Sequence, residues 1–257
     1  MITAQLQGGL GNQMFQIAAI NALALRNDSE AKFDLSNCHK PSWQGKFASQ
    51  YQDDIFLNIE SCDNIIIHSQ YSEPKFSYEK LPYYDKCSYR GYFQSEKYFQ
   101  DYKQETKALF HIPLDIEKNV KNYLNQLSDK EIVAVHVRRG EYLEFPDIHP
   151  TCSIEYYKQS ISKFKNCNFI FVSDDIKWCK ENFKESNYFY SNFESEVYDL
   201  ILMKSCNHNI IANSSFSWWS AWLNENINKR IICPSLWFGP KGPQDWQDIY
   251  CKEWEII

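Results

Sequence analysis

The sequence predicts an α/β fold in which helices cover both faces of a parallel sheet. Three observations carry that prediction. The run Ile132–Val137 (IVAVHV) is apolar on both faces, the mark of a strand buried on both sides. From that run to residue 233, strand-like and helix-like stretches alternate. At the other end, residues 1–26 read as strand, glycine turn and helix, which is a βα unit.

The elements follow in order. Residues 1–6 alternate as a short strand, residues 7–13 (QGGLGNQ) form a glycine-rich loop, and residues 14–26 form an Ala/Leu/Ile helix. Residues 31–35 and 64–68 are a second and a third strand. Between them, residues 38–51 form an aromatic loop with His39, Pro41, Trp43, Gly45 and Phe47; after them, residues 74–92 are Tyr-rich and irregular. Ser95 caps a helix over 95–110, and residues 114–127 form an amphipathic helix with Ile116, Val120, Tyr123 and Leu127 on one face. The turn at 128–130 sets a domain boundary, giving residues 1–128 and 129–257. Past the arginine strand come a loop at 140–152, a helix at 153–165 and a strand at 169–172. Ser173-Asp174-Asp175 caps a helix over 176–183, and a helix at 195–205 leads to a strand at 209–212. Residues 213–215 open a helix over 216–224, a strand follows at 230–233, and residues 234–243 form a Gly/Pro loop.

Composition narrows the function. The 257 residues are 44% hydrophobic and 23% charged, enough for one large or two small cores. A net charge of -6 argues against a broad nucleic-acid surface, but leaves room for a local basic site that binds one anion. The nine cysteines are scattered without a C-x-x-C pair or zinc spacing, which reads as free thiols in a reducing compartment. No apolar run reaches the length of about 20 residues that spans a membrane, so the expectation is a cytoplasmic protein.

The chemistry concentrates in a few places. His136, Arg138 and Arg139 fall at the carboxyl end of a buried strand, where open α/β sheets bind ligands. Two adjacent guanidinia repel unless an anion lies between them, and the arginine fork matches phosphate. The alternative is an ion-pair cluster with Glu141, Glu144 or Asp147. Gly11, Asn12 and Gln13 lie where loop amides and a helix start can face an anion, with side-chain amides able to serve hydroxyls. A plain glycine turn is the other reading. Ser214 and Ser215 precede a helix, either as a phosphate site or as a simple N-cap. Asp199 stands in a mostly apolar helix, where it either faces solvent or accepts the N1–H and N2–H of a guanine. Trp218, Trp219 and Trp222 are at helical spacing and read as core, with a sugar platform as the lesser reading.

The motifs together resemble a known family. HVRRGE at 136–141 resembles the H-x-R-R-x-D motif of α1,2-, α1,6- and protein O-fucosyltransferases. QGGLGNQMFQ at 7–16 is similar to the N-terminal signature of α1,2-fucosyltransferases, the bacterial and blood-group H type. Residues 213–219 (NSSFSWW) and 173–175 (SDD) are similar to that family's remaining motifs. The resemblance implies a GT-B-like fold, two Rossmann-like domains facing across a cleft. It further implies GDP-fucose as donor, no metal or other cofactor, and inversion at the anomeric carbon. The second domain would bind the donor and the first the acceptor. His136 and Arg138 would hold the diphosphate, Asp199 the guanine, and Ser214 and Ser215 the phosphates, with Gly11, Asn12 and Gln13 approaching from the other domain. Arg138, Glu141 and Asn12 are the catalytic candidates.

Two departures stand out. The acid of the motif is Glu141, one methylene longer, which suits charge balance for Arg139 better than tightly placed catalysis. No acid lies between Gln7 and Gln16 to serve as a base, leaving Glu141, Glu144, Asp147 and His149 as candidates. The expected activity is α1,2-fucosyl transfer to a terminal β-galactose of a glycan, with a lipid-linked or membrane-peripheral acceptor compatible with it. The rivals are a GT-B enzyme using another nucleotide sugar and a non-catalytic nucleotide- or glycan-binding module.

Overall fold

The structure, a computed structural model, describes residues 1–35, 47–62, 64–127 and 129–257. Most of the expected aromatic loop, including His39, Pro41, Trp43 and Gly45, lies outside the described residues, as does Ser128. The chain forms two compact units, Met1–Ile112 with Asp245–Cys251, and Pro113–Gln244 with Lys252–Ile257.

In the first unit, strands β1 (Thr3–Ala4), β2 (Ser69–Ser72) and β3 (Cys87–Arg90) form a parallel sheet in the order β1-β3-β2. Helix α1 (Leu10–Arg26) packs on it with an almost wholly buried, alanine-rich body. The expected strand at 31–35 survives only as single parallel bridges from Ala31 to Ile2 and from Phe33 to Ser61. The apolar run at 65–67 is not a strand, and Ile66 is 66% exposed. The chain pairs one step later, through the polar β2, because β2 is an edge strand whose side chains face solvent. β3 lies inside the segment expected to be irregular; its Cys87 and Tyr89 are fully buried. The helix expected over 95–110 is broken into short 3₁₀ turns at Glu96–Tyr98 and Gln100–Tyr102 before α2 (Lys103–Leu109). Phe99, between the turns, has φ -136°, outside the helical range.

The second unit carries a six-stranded, all-parallel sheet in the order β6-β5-β4-β7-β8-β9. Its strands are β4 (Ile132–Val137), β5 (Asn168–Ser173), β6 (Tyr188–Tyr190), β7 (His208–Ile210), β8 (Ile231–Cys233) and β9 (Glu255–Ile256). The helices are α3 (Leu114–Leu127), α4 (Ile154–Ser162), α5 (Ile176–Asn182), α6 (Glu196–Ser205) and α7 (Ser215–Leu223). Every residue of β4 is buried, as its apolar run predicts. Val133, Val135 and Val137 point into a core completed by Tyr157, Phe169, Phe171 and Phe183. On α7, Trp218 and Trp219 are fully buried and Trp218 stacks on Trp222 at 6.1 Å, so the tryptophan face is core. Helix α3 packs on α6 within this unit. Because all six strands run one way, their carboxyl ends, and the loops after them, lie along a single edge.

Candidate active site

That edge of the second unit gathers the residues expected there from the sequence, His136, Arg138, Glu141, Asp199, Ser214 and Ser215. Register places Val137 beside Ser173, so Arg138 emerges next to Asp174. Arg138 donates from Nη1 to Asp174 Oδ2 at 2.8 Å and from Nη2 to Glu141, and its guanidinium lies 5.4 Å from the centre of the Tyr142 ring. Arg139 turns elsewhere. Its backbone N–H donates to Asp174 Oδ1 at 2.9 Å, its Nε donates to Asp175 at 3.1 Å, and its guanidinium stacks 4.1 Å over Trp178. Two expectations change. The repulsion between the arginines is relieved by three carboxylates and does not call for an anion. Glu141 balances Arg138, not Arg139, because the 3₁₀ turn at Gly140–Leu143 folds it back onto the earlier arginine. Gly140 gives this carboxylate room: a Cβ on it would sit 2.5 Å from Asp174 Oδ2, so that side chain would have to shift.

Asp175 also caps α5 through Trp178 N–H, and Ser173 Oγ accepts from Asp175 N–H, so in the fold Asp175 is the cap while Asp174 holds the two arginines. Among the described residues, one group has metal-ligating atoms within 4.8 Å of one another: Glu131, Cys167 and His208. It lies at the opposite, amino edge of the sheet. His208 Nδ1 accepts the Arg230 N–H at 3.0 Å there, which leaves the ring proton on Nε2, toward Glu131.

His136 is buried on β4, and its Nδ1 has no hydrogen-bond partner among the described residues. Burial, with Arg138 as a second cause, lowers its pKa to about 3, so the imidazole is neutral. Its ring lies 5.7 Å from Phe216 in the first turn of α7. That helix begins one residue earlier than expected, with Ser214 at the N-cap and Ser215 as its first residue. The Ser214 side chain makes no capping bond. Asn213 is a brace: its Nδ2 donates to the carbonyls of Pro150 and Trp237, both at 2.9 Å, and its own carbonyl accepts from Tyr142 Oη at 3.0 Å. Of the remaining base candidates, Asp147 pairs with Lys241, while His149 stacks on Tyr142 at 4.9 Å. Burial and Arg138 lower the His149 pKa.

Asp199 sits in the first turn of α6 and accepts a 2.5 Å hydrogen bond from Ser191 Oγ, at the end of β6. Burial pushes its carboxyl up to about 6, with Glu196 adding to the rise. The half-buried ring of Phe193, six residues earlier, lies 5.3 Å from Tyr123 and 5.0 Å from Tyr198.

The first unit has its own edge. Helix α1 starts at Leu10 rather than at residue 14, so Gly11, Asn12 and Gln13 form its first turn, with Gly9 as N-cap. The Asn12 and Gln13 N–H groups both donate to the Gly9 carbonyl. Gln13 is fully buried and donates its amide to the Gly8 carbonyl at 2.9 Å. Gln16 grips Gln7 at both ends, accepting its N–H at 2.8 Å and donating to its carbonyl at 3.0 Å. The glutamines therefore hold the turn, and Gly8, at φ 80°, lets it pass under Asn12. Asn12 accepts from Gln94 Nε2 at 2.7 Å, a partner that sequence reasoning missed because residue 94 lies in a segment without a motif.

The family model for glycosyl transferase family 11 matches residues 1–257. The chain belongs to that family. This family 11 glycosyltransferase is 34% identical over 270 residues to an α-1,2-colitosyltransferase of Escherichia coli, an alignment covering 93% of this chain and 92% of the relative. It is 24% identical to galactoside α-(1,2)-fucosyltransferase 1 of Bos taurus, over 86% of this chain and 66% of that one. Its GT-B-like fold matches the fucosyltransferase NodZ from Bradyrhizobium with a TM-score of 0.55 at 12% identity, over 85% of this chain and 91% of that chain. A NodZ structure soaked with GDP-fucose matches with a TM-score of 0.53 at 13% identity, over 91% and 95% of the two chains. Among the described residues, no helix of the family 11 chain is long and apolar enough to cross a membrane.

Proposed function

We propose that the chain transfers L-fucose from GDP-fucose, with inversion, to the 2-hydroxyl of a terminal β-galactose on a glycan. The observation that carries this reading is the convergence at one sheet edge of the Arg138 fork, the buried unpartnered Nδ1 of His136 and the start of α7 at Ser214. A buried polar atom without a partner points to a ligand, and a neutral imidazole beside a helix start suits a diphosphate. Arg138 keeps further donors beyond the two it gives its carboxylates, since a guanidinium carries five. As the C1–O bond to the phosphate breaks, charge builds on the β-phosphate, and these groups stabilise it. Such donors are typically worth about 2.7–4 kcal/mol each. Asp199 reads the guanine with both oxygens. Gly11, Asn12 and Gln13 contact the donor, with Asn12 as the member that acts on the leaving group.

The reaction needs no metal in this reading, because arginine and helix-start amides neutralise the diphosphate. Activity that vanishes in chelator and returns with manganese would overturn that point. The acceptor hydroxyl loses its proton late, to water or phosphate; Glu141 is held by Arg138 as a positioning carboxylate. The eight cysteines among the described residues are free thiols, which fits a reducing, cytoplasmic setting.

The test is product formation from GDP-fucose with lactose, N-acetyllactosamine and galactosyl-N-acetylhexosamines, with linkage analysis. No transfer to any galactoside would sink the proposal. The 34% identity to a colitosyltransferase favours a second reading of the donor. Colitose is fucose without its 3-hydroxyl, and a site built to bond that hydroxyl discriminates steeply. The kcat/KM ratio for GDP-fucose over GDP-colitose decides between them.

A further inference from the structure

We infer that Gln94 is a positioning residue that fixes the orientation of Asn12, and that Glu73 holds Gln94 in place. The inference rests on the donor-site reading of Asn12 given above. An asparagine amide has two orientations that differ by a half turn and present opposite chemistry. Gln94 chooses between them: its Nε2 donates to Asn12 Oδ1 at 2.7 Å, so the oxygen faces Gln94 and the nitrogen lies over Gly8. A Cβ on Gly8 would sit 2.3 Å from that nitrogen. With Gln94 as it stands, turning the Asn12 amide over would set donor against donor in a buried site, since Asn12 and Gln94 are 9% and 6% exposed. Asn12 is thereby set to present N–H at the start of α1, where a developing phosphate charge gains from a donor.

Gln94 stands in a turn built at a cost. Phe93, before it, is fully buried with φ 51°, a region that bulky side chains rarely occupy. The turn is held there by Glu73, which follows β2. Glu73 accepts from the Tyr92 N–H at 2.7 Å and from the Phe93 N–H at 3.1 and 3.2 Å. Gly91 lets that carboxylate in, because a Cβ on it would lie 2.7 Å from Glu73 Oε2. On the far side, Ser95 donates from Oγ to the Asp248 carbonyl at 2.6 Å. Burial pushes Glu73 up to about 7, so the fold keeps a carboxyl where ionisation is unfavourable. A strained turn with a half-buried carboxyl under it is retained where its geometry matters, and the side chain it aims is Gln94.

The experiment measures kcat and donor KM for Asn12→Ala, Gln94→Ala, Gln94→Glu, Glu73→Gln, and the doubles Asn12→Ala/Gln94→Ala and Glu73→Gln/Gln94→Ala. Asn12→Ala should lower kcat about a hundredfold, the scale of one lost donor. Gln94→Ala should lower kcat about ten- to a hundredfold through misplacement, with donor KM little changed. Gln94→Glu, which turns an acceptor toward Asn12 Oδ1, should be no better than Gln94→Ala. Once Asn12 is gone, Gln94 has nothing to aim, so the first double should match Asn12→Ala within about twofold. The second double should match its worse single. A general loss of folding would multiply in both backgrounds, so multiplied losses overturn the inference, as does wild-type turnover in Gln94→Ala. Wild-type turnover in Asn12→Ala would sink the inference together with the donor-site role of Asn12, whereas multiplied losses sink the inference alone.

Discussion

Arg138 is held by two carboxylates at defined angles, Asp174 on Nη1 and Glu141 on Nη2, and that arrangement needs a planar fork. A lysine restores the charge but not the two directions. Arg138→Lys should therefore lose at least about a hundredfold in kcat, nearly as much as Arg138→Ala; turnover near wild type would reduce Arg138 to a local charge. Asp199 supports a prediction in pH. Burial raises its carboxyl to about 6, and only the ionised form accepts both guanine N–H groups. GDP affinity should then weaken as pH falls through about 6, while that of a diphosphate with another base, UDP, does not share this step. Titrations from pH 5 to 8 check it, and Asp199→Asn should bind GDP weakly with no such step. The residues that composition and motif single out are found at the sheet edges, since strand ends are where the side chains of a buried run become available. Gln94, Glu73 and Ser191 carry no such mark: Gln94 meets Asn12 82 positions away, Glu73 meets the N–H groups of Tyr92 and Phe93 19 and 20 positions away, and Ser191 meets Asp199 eight positions on, pairings that no local pattern encodes.

Among the elements, the loop after β4 depends on a close approach. Gly140 leaves room for the Asp174 carboxylate, and a methyl group there would meet it at 2.5 Å. Gly140→Ala should displace Asp174 from Arg138 and lower kcat by about tenfold or more, as small misplacements near reacting groups do. Thermal unfolding should show the variant still folded. Wild-type kcat would show that the contact relaxes at no cost. Elements of the second unit were legible where burial is two-sided: β4, β5, β7, β8 and the tryptophan helix α7 follow from apolar runs and helical spacing. β3 and β6 were not, since CSYR and YFY sit among tyrosine-rich segments with no alternation to separate strand from loop. The start of α1 was misplaced because glycines mark a turn in sequence, whereas here Gly9 caps and Gly11 is already helical.

For the whole molecule, acid tests the buried His136. Its folded pKa, about 3, is depressed below the ordinary 6.5, so the unfolded chain binds more protons between those values. Stability from this group is present above about pH 6.5 and is lost as pH falls toward 3. Glu73 and Asp199, raised to about 7 and about 6, act in the opposite sense over part of that window. Comparing the thermal midpoint of the wild type with that of His136→Gln from pH 4 to 7 isolates the histidine. The variant should lose less stability on acidification, and equal slopes would mean the imidazole titrates normally. The first unit is closed by Asp245–Cys251: Asp245 and Asp248 accept the N–H groups of Ser77 and Tyr78, and Asp248 also holds Lys97. A nascent chain leaving the ribosome therefore carries an unfinished first unit until more than a hundred later residues have been made. Chains cut after Gln244 should expose the region around 73–98 to protease as well as losing β9, and a stalled ribosome would display the same vulnerable surface to chaperones.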